Sequence, residues 1–274
     1  MSALRPWEVG DARQRWEGYL DPAHRDPVER QNVLRNLVAA TTYGELRERE
    51  DAAVGMRAMT LRAHNLPGTY DLDGLRSIHR HLFQDVYAWA GDVRTVNISK
   101  GGAPFASTDQ IEPLMQHVST VLQSRDLLRE VPEAEFPDLL ARVYYVVNMA
   151  HPFREGNGRT QREFITALAG ESGHSIDWTR VHGHVNDAAS RRAREGDLEP
   201  LKSMFRDIVT SGQAGGRVVP ETVRTSPREQ ALKAARQVRD QAFPLPARSA
   251  AIHPPSHPVT PRPSAPEVDR SYSR

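Results

Sequence analysis

Twelve consecutive residues gather a titratable base, a carboxylate, two glycines and two arginines: His151-Pro152-Phe153-Arg154-Glu155-Gly156-Asn157-Gly158-Arg159-Thr160-Gln161-Arg162. Gly156 and Gly158 allow backbone conformations closed to other residues and let a ligand approach the main chain. The pattern predicts a helix directly after them. Several N–H groups at its start have no intrahelical partner and point toward whatever sits in the loop, which makes an anion site. Arg159 and Arg162 lie in the first turn of that helix, where a cation opposes the macrodipole at a cost of roughly a few tenths of a kcal/mol. An anion there offsets the cost. Spaced i,i+3, the two arginines share a helix side and suit successive phosphates. Glu155 beside an anion calls for a cation between them, and Mg²⁺ takes carboxylate together with phosphate oxygens. His151, ending an apolar stretch, is left as a base that titrates near neutral pH and can take a proton from an attacking hydroxyl.

Taken singly, each feature has a structural explanation: a histidine closing a helix, a Gly-Asn-Gly turn, a solvated arginine pair. Their meeting around one helix start is what those explanations leave over. The segment is no Walker A loop, since GxxxxGK[ST] is absent. His174, His182 and His184 have neither an HExxH pattern nor a carboxylate at ligand spacing, which argues against a zinc site.

The elements that must position this segment read as helical. Residues 27–66 carry Val33, Leu34, Leu37 and Val38 at helical spacing, with a second helical stretch from Leu46 to His64. Leu75, Ile78, Leu82 and Phe83 predict a helix that continues through Val86-Tyr87-Ala88-Trp89-Ala90 and stops at Gly91. The period then changes to alternation over Val93–Ser99. Lys100-Gly101-Gly102 forms a turn and Ala103–Ala106 leads back, a hairpin read as the only strand signal. Ser107-Thr108-Asp109 caps a helix over about 110–124. Phe136–Ala150 is the most apolar stretch and predicts the central buried helix. Helices over about 160–169, 181–195 and 198–209 complete the body.

Composition bounds the remaining choices. The 274 residues hold 36 Lys+Arg and 35 Asp+Glu, a net charge of +1. Residues 217–274 carry ten basic and five acidic residues, so a body of net −4 is joined to a tail of net +5. That tail also holds ten of the 20 prolines. It reads as a largely disordered segment with a short helix over 225–243. A plain linker explains it; a translocation signal is the alternative. Its aromatics, Phe243 and Tyr272, make no stacking platform, so direct nucleic-acid binding is not expected. With no cysteine, disulfide scaffolds, thiolate zinc sites and cysteine nucleophiles are excluded. No apolar run reaches a membrane span and the N-terminus has no apolar signal core, so a cytoplasmic protein is expected.

The segment 151–162 resembles the full signature of the Fic (Fido) family, HxFx(D/E)GNGRxxR, with every specified position filled. Ile78–Gly91 and the Arg94–Lys100 run are similar to the family as well, and the likeness spans about residues 30–210. The resemblance implies an all-α fold, a helical bundle with a small β-hairpin flap, over 30–210, with 1–29 as an N-terminal extension and 211–274 as a tail. It also implies AMP transfer from ATP to a protein hydroxyl. His151 would be the general base, Glu155 would hold Mg²⁺, and the N–H groups of Gly156, Asn157 and Gly158 would form the anion hole. Arg159 and Arg162 would bind the terminal phosphates and Phe153 would anchor the loop. Lys100, Gly101, Gly102 and Phe105 would form the flap over nucleotide and target.

Family members that phosphorylate carry Lys where this chain has Gly158, so the resemblance favours AMP transfer. Many members restrain themselves with an (S/T)xxxE(G/N) helix. Here Glu17, Glu155 and Glu195 precede Gly, but Arg13, His151 and Arg191 stand four residues before them, so that lock is absent. Similarity to the toxin branch therefore implies a small antitoxin that inhibits in trans, and a gyrase or topoisomerase IV subunit as target. The competing readings are a phosphotransferase or deAMPylase of the same fold, or a binding module without catalysis.

Overall fold

The computed structural model describes residues 4–63 and 69–211, which are mostly helical with three small antiparallel strand pairs. The eight helices are α1 (Ala12–Gly18), α2 (Tyr43–Ala63), α3 (Leu72–Phe83), α4 (Ile111–Gln123), α5 (Phe136–Ala150), α6 (Asn157–Glu171), α7 (Gly183–Arg194) and α8 (Glu199–Ile208). The strands pair as β1 (Leu20–Arg25) with β2 (Asn32–Leu34), β3 (Ser99–Lys100) with β4 (Ala103–Pro104), and β5 (His174–Ile176) with β6 (Val209–Ser211). The expected helix over 225–243 lies outside the described residues.

Helix α5 is the centre of the bundle, packed against α4, α6, α7 and α8. Its apolar composition requires this: Phe136, Leu140, Ala141, Val143, Tyr144, Val147 and Ala150 are all buried. Helix α6 begins at Asn157, earlier than the periodicity predicts, because Gly156 at φ 80° supplies the left-handed residue that lets the chain enter the helix. A stacked series of rings, Tyr87 on Phe83, Phe83 on His79 and His79 on Phe153, ties α3 to the loop between α5 and α6.

Three expectations fail for local reasons. Residues 27–42 are not helical: β2 and an irregular loop replace the predicted turns. Asp26 accepts N–H bonds from Val28, Glu29 and Tyr43, and the Asn36 amide bridges to Leu34 and Ala40, so side chains take backbone groups that a helix would need. Helix α3 stops at Phe83 instead of running to Gly91. The Tyr87 and Trp89 rings stack on each other, centroids 4.2 Å apart, which residues two apart on a helix cannot do, and the chain turns there through bonds from Val86 N–H to Phe83 O and from Gly91 N–H to the His79 ring. The hairpin is not the only strand pair, and of its alternating residues before Ser99 only Ile98 bonds across it, because the backbone from Arg94 to Val96 is bonded to the Arg94 side chain and the α5–α6 loop.

Candidate active site

Helix α5 ends at Ala150, and His151 caps it in the left-handed conformation (φ 40°, ψ 59°). Its ring Nδ1 lies 3.3 Å from the Asn148 carbonyl. A carbonyl only accepts, so in the neutral ring Nδ1 carries the proton and Nε2 keeps its lone pair. Burial, with the positive charges of Arg94, Lys100 and Arg194, pushes the imidazole down to about 3. Phe105 stacks on the ring, centroids 3.6 Å apart, and Arg194 of α7 lies over the outer face of Phe105.

The residues that follow fold the loop between α5 and α6. Asn157 is buried and turns its side chain back on the loop, accepting from Phe153 N–H at 2.9 Å and donating to Phe153 O at 2.7 Å. Phe153 is fully buried against His79. His79 accepts from Gly91 N–H through Nδ1 at 2.7 Å, so its Nε2–H donates to the Glu155 carbonyl at 3.0 Å. Gly156 N–H donates to the Glu155 carboxylate at 3.2 Å. Helix geometry leaves the next N–H groups of α6 without intrahelical acceptors.

A cavity of about 340 Å³ opens beside this loop. Glu155, Gly156, Gly158, Arg159, Arg162 and Lys100 line it, together with Glu50, Asp51, Tyr87, Asn186 and Asp187. Six of the residues singled out in the sequence therefore meet around one space. His151, Asn157, Gly101, Gly102 and Phe105 do not line it. Gly101 and Gly102 form the exposed hairpin tip with φ 58° and 81°, the two left-handed residues of a type I′ turn. Phe105 N–H still bonds across the hairpin to Ile98 O, and Ala106 N–H then turns to Met149 O, which brings the chain down onto α5 and His151. Lys100 is held across the cavity mouth by Asp187 of α7 at 2.9 Å.

The two motif arginines face different walls. Arg159 lies over the Phe83 ring and pairs with Glu50 and Asp51 of α2. Burial works against its charge, but the two carboxylates outweigh it and hold the guanidinium above its ordinary value. Arg162 lies over Trp178, 5.2 Å from the ring centroid, and burial lowers it. Burial and then the charge of Glu50 raise the Glu155 carboxyl.

Several residues of the site carry no local sign in the sequence. Glu50 and Asp51 belong to a mixed charge run, Arg47 to Asp51, of the kind that usually marks a solvated face. Arg94 is buried and donates to the carbonyls of His151, Val96, Ala106 and Ala150, joining the hairpin base to the end of α5. Burial pushes it down to about 10. Residues 4–29, set apart as an extension, pack on the motif: Arg154 lies over Trp16, 4.4 Å from the ring centroid, with Tyr19 beyond. Among the described residues no cluster of three or more His, Asp or Glu forms a metal site, and no helix is long and apolar enough to cross a membrane.

Residues 69–169 match the Fic/DOC family. The protein adenylyltransferase VbhT of Bartonella schoenbuchensis is 36% identical over 205 residues, covering 75% of this chain but only 42% of VbhT. The chain thus spans less than half of that relative. The probable protein adenylyltransferase y4lH of Sinorhizobium fredii is 35% identical over 180 residues, covering 65% of this chain and 92% of y4lH. Among solved structures, the VirB-translocated effector BepC of Bartonella tribocorum with bound AMPPNP superposes with a TM-score of 0.66 at 26% identity, covering 72% of this chain and 98% of that one.

Proposed function

Because the chain belongs to the Fic/DOC family, we propose that it is a protein adenylyltransferase, moving AMP from ATP onto a tyrosine, serine or threonine hydroxyl of a target protein. The observation that carries the reading is His151. Its Nδ1–H is tied to Asn148 O, so Nε2 is the free base, on the same loop as the cavity-lining residues Glu155, Gly156, Gly158, Arg159 and Arg162. The target oxygen attacks the α-phosphorus, the bond from that phosphorus to the bridging oxygen breaks, diphosphate leaves, and Nε2 takes the hydroxyl proton. A ring with so low a proton affinity is neutral near neutral pH. It accepts the proton as the oxygen bonds to phosphorus and becomes acidic.

The N–H groups of Asn157 and Gly158 at the start of α6 hold phosphate oxygens, joined by that of Gly156 once Glu155 turns to the cation, and Arg159 and Arg162 hold the terminal phosphates from opposite walls. Glu155 suits Mg²⁺: its carboxylate shares the cavity with the like charge of Glu50, an arrangement that a divalent cation with phosphate oxygens relieves. Held by Glu155, Mg²⁺ would supply neutralisation of phosphate charge. A Cβ on Gly158 meets nothing within 4 Å, so a lysine there would have room to extend. Glycine at this position supports AMP transfer over phosphoryl transfer.

The absent (S/T)xxxE(G/N) lock supports a toxin restrained in trans by a small antitoxin, with a gyrase or topoisomerase IV subunit as target. The catalytic domain spans residues 30–210, seated on Trp16 and Tyr19 of the N-terminal extension, and works in the cytoplasm. Likeness to VirB-translocated effectors supports transfer to another cell, with 211–274 as the signal.

Incubation of lysate proteins with the chain and ATP labelled at either phosphate tests the activity. Label retained from the α position, and lost in His151→Asn, is expected. Asn tolerates the left-handed backbone of this position. Retention from the γ position alone would establish the phosphotransferase instead, and labelling by the His151→Asn variant would remove the base.

A further inference from the structure

The cavity wall opposite the anion loop is acidic, which is unexpected in a site for a polyanion. Glu50 lies in the middle of α2, about a hundred residues before the motif, and is only 7% exposed. Both of its carboxylate oxygens are engaged: one accepts from the Tyr87 hydroxyl, the other from the Arg159 guanidinium. Asp51 adds a contact to Arg159 at 3.4 Å. Beneath lies Phe83, 4.7 Å from the guanidinium carbon. The same ring abuts Gly156, where an added Cβ would fall 2.3 Å from Phe83 Cζ. One aromatic therefore sets the height of both the anion loop and the arginine.

We propose that Glu50 is a positioning residue for nucleotide binding, acting through Arg159; this rests on the reading that Arg159 holds the terminal phosphates of ATP. A guanidinium has five N–H donors in a rigid fork, so carboxylates behind it and a phosphate in front are compatible. Burial and the Tyr87 bond hold Glu50 in the wall, so Arg159 is aimed before the nucleotide arrives. Without the charge of Glu50, Asp51 holds Arg159 through its 3.4 Å contact, and another carboxylate of the same cavity competes for the guanidinium, that of Glu155. Arg159 turning to it would take both an arginine and the cation-holding carboxylate from the phosphates.

The opposite possibility is that Glu50 occupies Arg159 as a lock and must be displaced by ATP. Its second tie to Tyr87 and its burial favour the positioning role, and the two differ in sign.

The test is calorimetric binding of a non-hydrolysable ATP analogue and of AMP to wild type, Glu50→Gln, Arg159→Gln and the double variant. Gln keeps the shape and an acceptor for Tyr87 while removing the charge. Glu50→Gln is expected to weaken the ATP analogue about tenfold, within the range for contacting residues, and to leave AMP unchanged. In the double variant it should add nothing to Arg159→Gln. Additive losses, equal weakening of AMP, or tighter binding of the analogue by Glu50→Gln would overturn the positioning role while leaving the enzymatic reading intact. A wild-type chain that binds no ATP analogue would overturn both.

Discussion

Phe105 lies flat on His151, with the ring planes only 10° apart. The base we propose is thus covered by a residue from the foot of the hairpin, so the element that shields the imidazole is continuous with the exposed tip at Gly101 and Gly102. Phe105→Ala should uncover the imidazole. Water then stabilises its charged form, and the proton affinity rises from about 3 toward the ordinary 6.5. Only the neutral ring can accept a proton, so wild-type kcat/KM should hold level as pH falls from 8 to roughly 5, whereas the variant should lose activity below about pH 6.5. A pH–rate profile of both proteins checks this.

Two histidines of low proton affinity make the fold acid-sensitive. His79 and His151 are both held down to about 3 by burial, against 6.5 in an unfolded chain. Between these values the unfolded state binds more protons, so stability is full above about pH 6.5 and falls as pH drops toward 3. For His79, which is fully buried, the loss by pH 5 is about 2 kcal/mol. Urea unfolding at pH 7.5 and 5 measures it, and His79→Phe should flatten part of the slope.

His79→Phe also separates the ring's packing from its polar atoms. Phe keeps the stack on Phe83 and Phe153 but leaves Gly91 N–H and Glu155 C=O without their partner. Two buried groups deprived of a bond should cost about 2–4 kcal/mol at neutral pH, seen as a lower urea midpoint.

The glycines of the anion loop should differ sharply. Gly156 has φ 80° and no room for a Cβ against Phe83, whereas Gly158 is helical with open space around it. Gly156→Ala should lower stability by about 1–3 kcal/mol and weaken ATP binding. Gly158→Ala should unfold at the wild-type urea concentration. Comparable destabilisation by both would contradict the geometry.

Arg94→Lys should be costly even though it keeps the charge. One guanidinium reaches carbonyls of the hairpin and of the α5 terminus, a geometry that a single ammonium cannot reproduce. A loss of about 3 kcal/mol is expected from carbonyls left without a donor, with weaker protection of the Ala106 amide in hydrogen exchange.

What was legible in the sequence was local. Phe136–Ala150 announces a central helix because apolar residues leave it no wet face, and the meeting of His151, Glu155, Gly156 and the two arginines needs no tertiary information. What was hidden was decided elsewhere in the chain. Glu50 looks solvated until Arg159 and Tyr87 surround it. Val33 and Leu34 keep helical spacing, yet Asp26 and Asn36 spend the backbone bonds a helix requires. Tyr87 and Trp89 continue the apolar run of α3, but their rings stack on each other, and residues two apart meet that way only across a turn.

The seat of Arg154 on Trp16 and Tyr19 bears on how this module can be inherited. A gene rearrangement that joined residues 30–210 to another protein would carry over every signature residue and leave behind the aromatic shelf beneath them. Recombination that preserves a working loop must break upstream of Trp7, whose ring stacks on Tyr19, so the evolutionary unit is larger than the motif that identifies it.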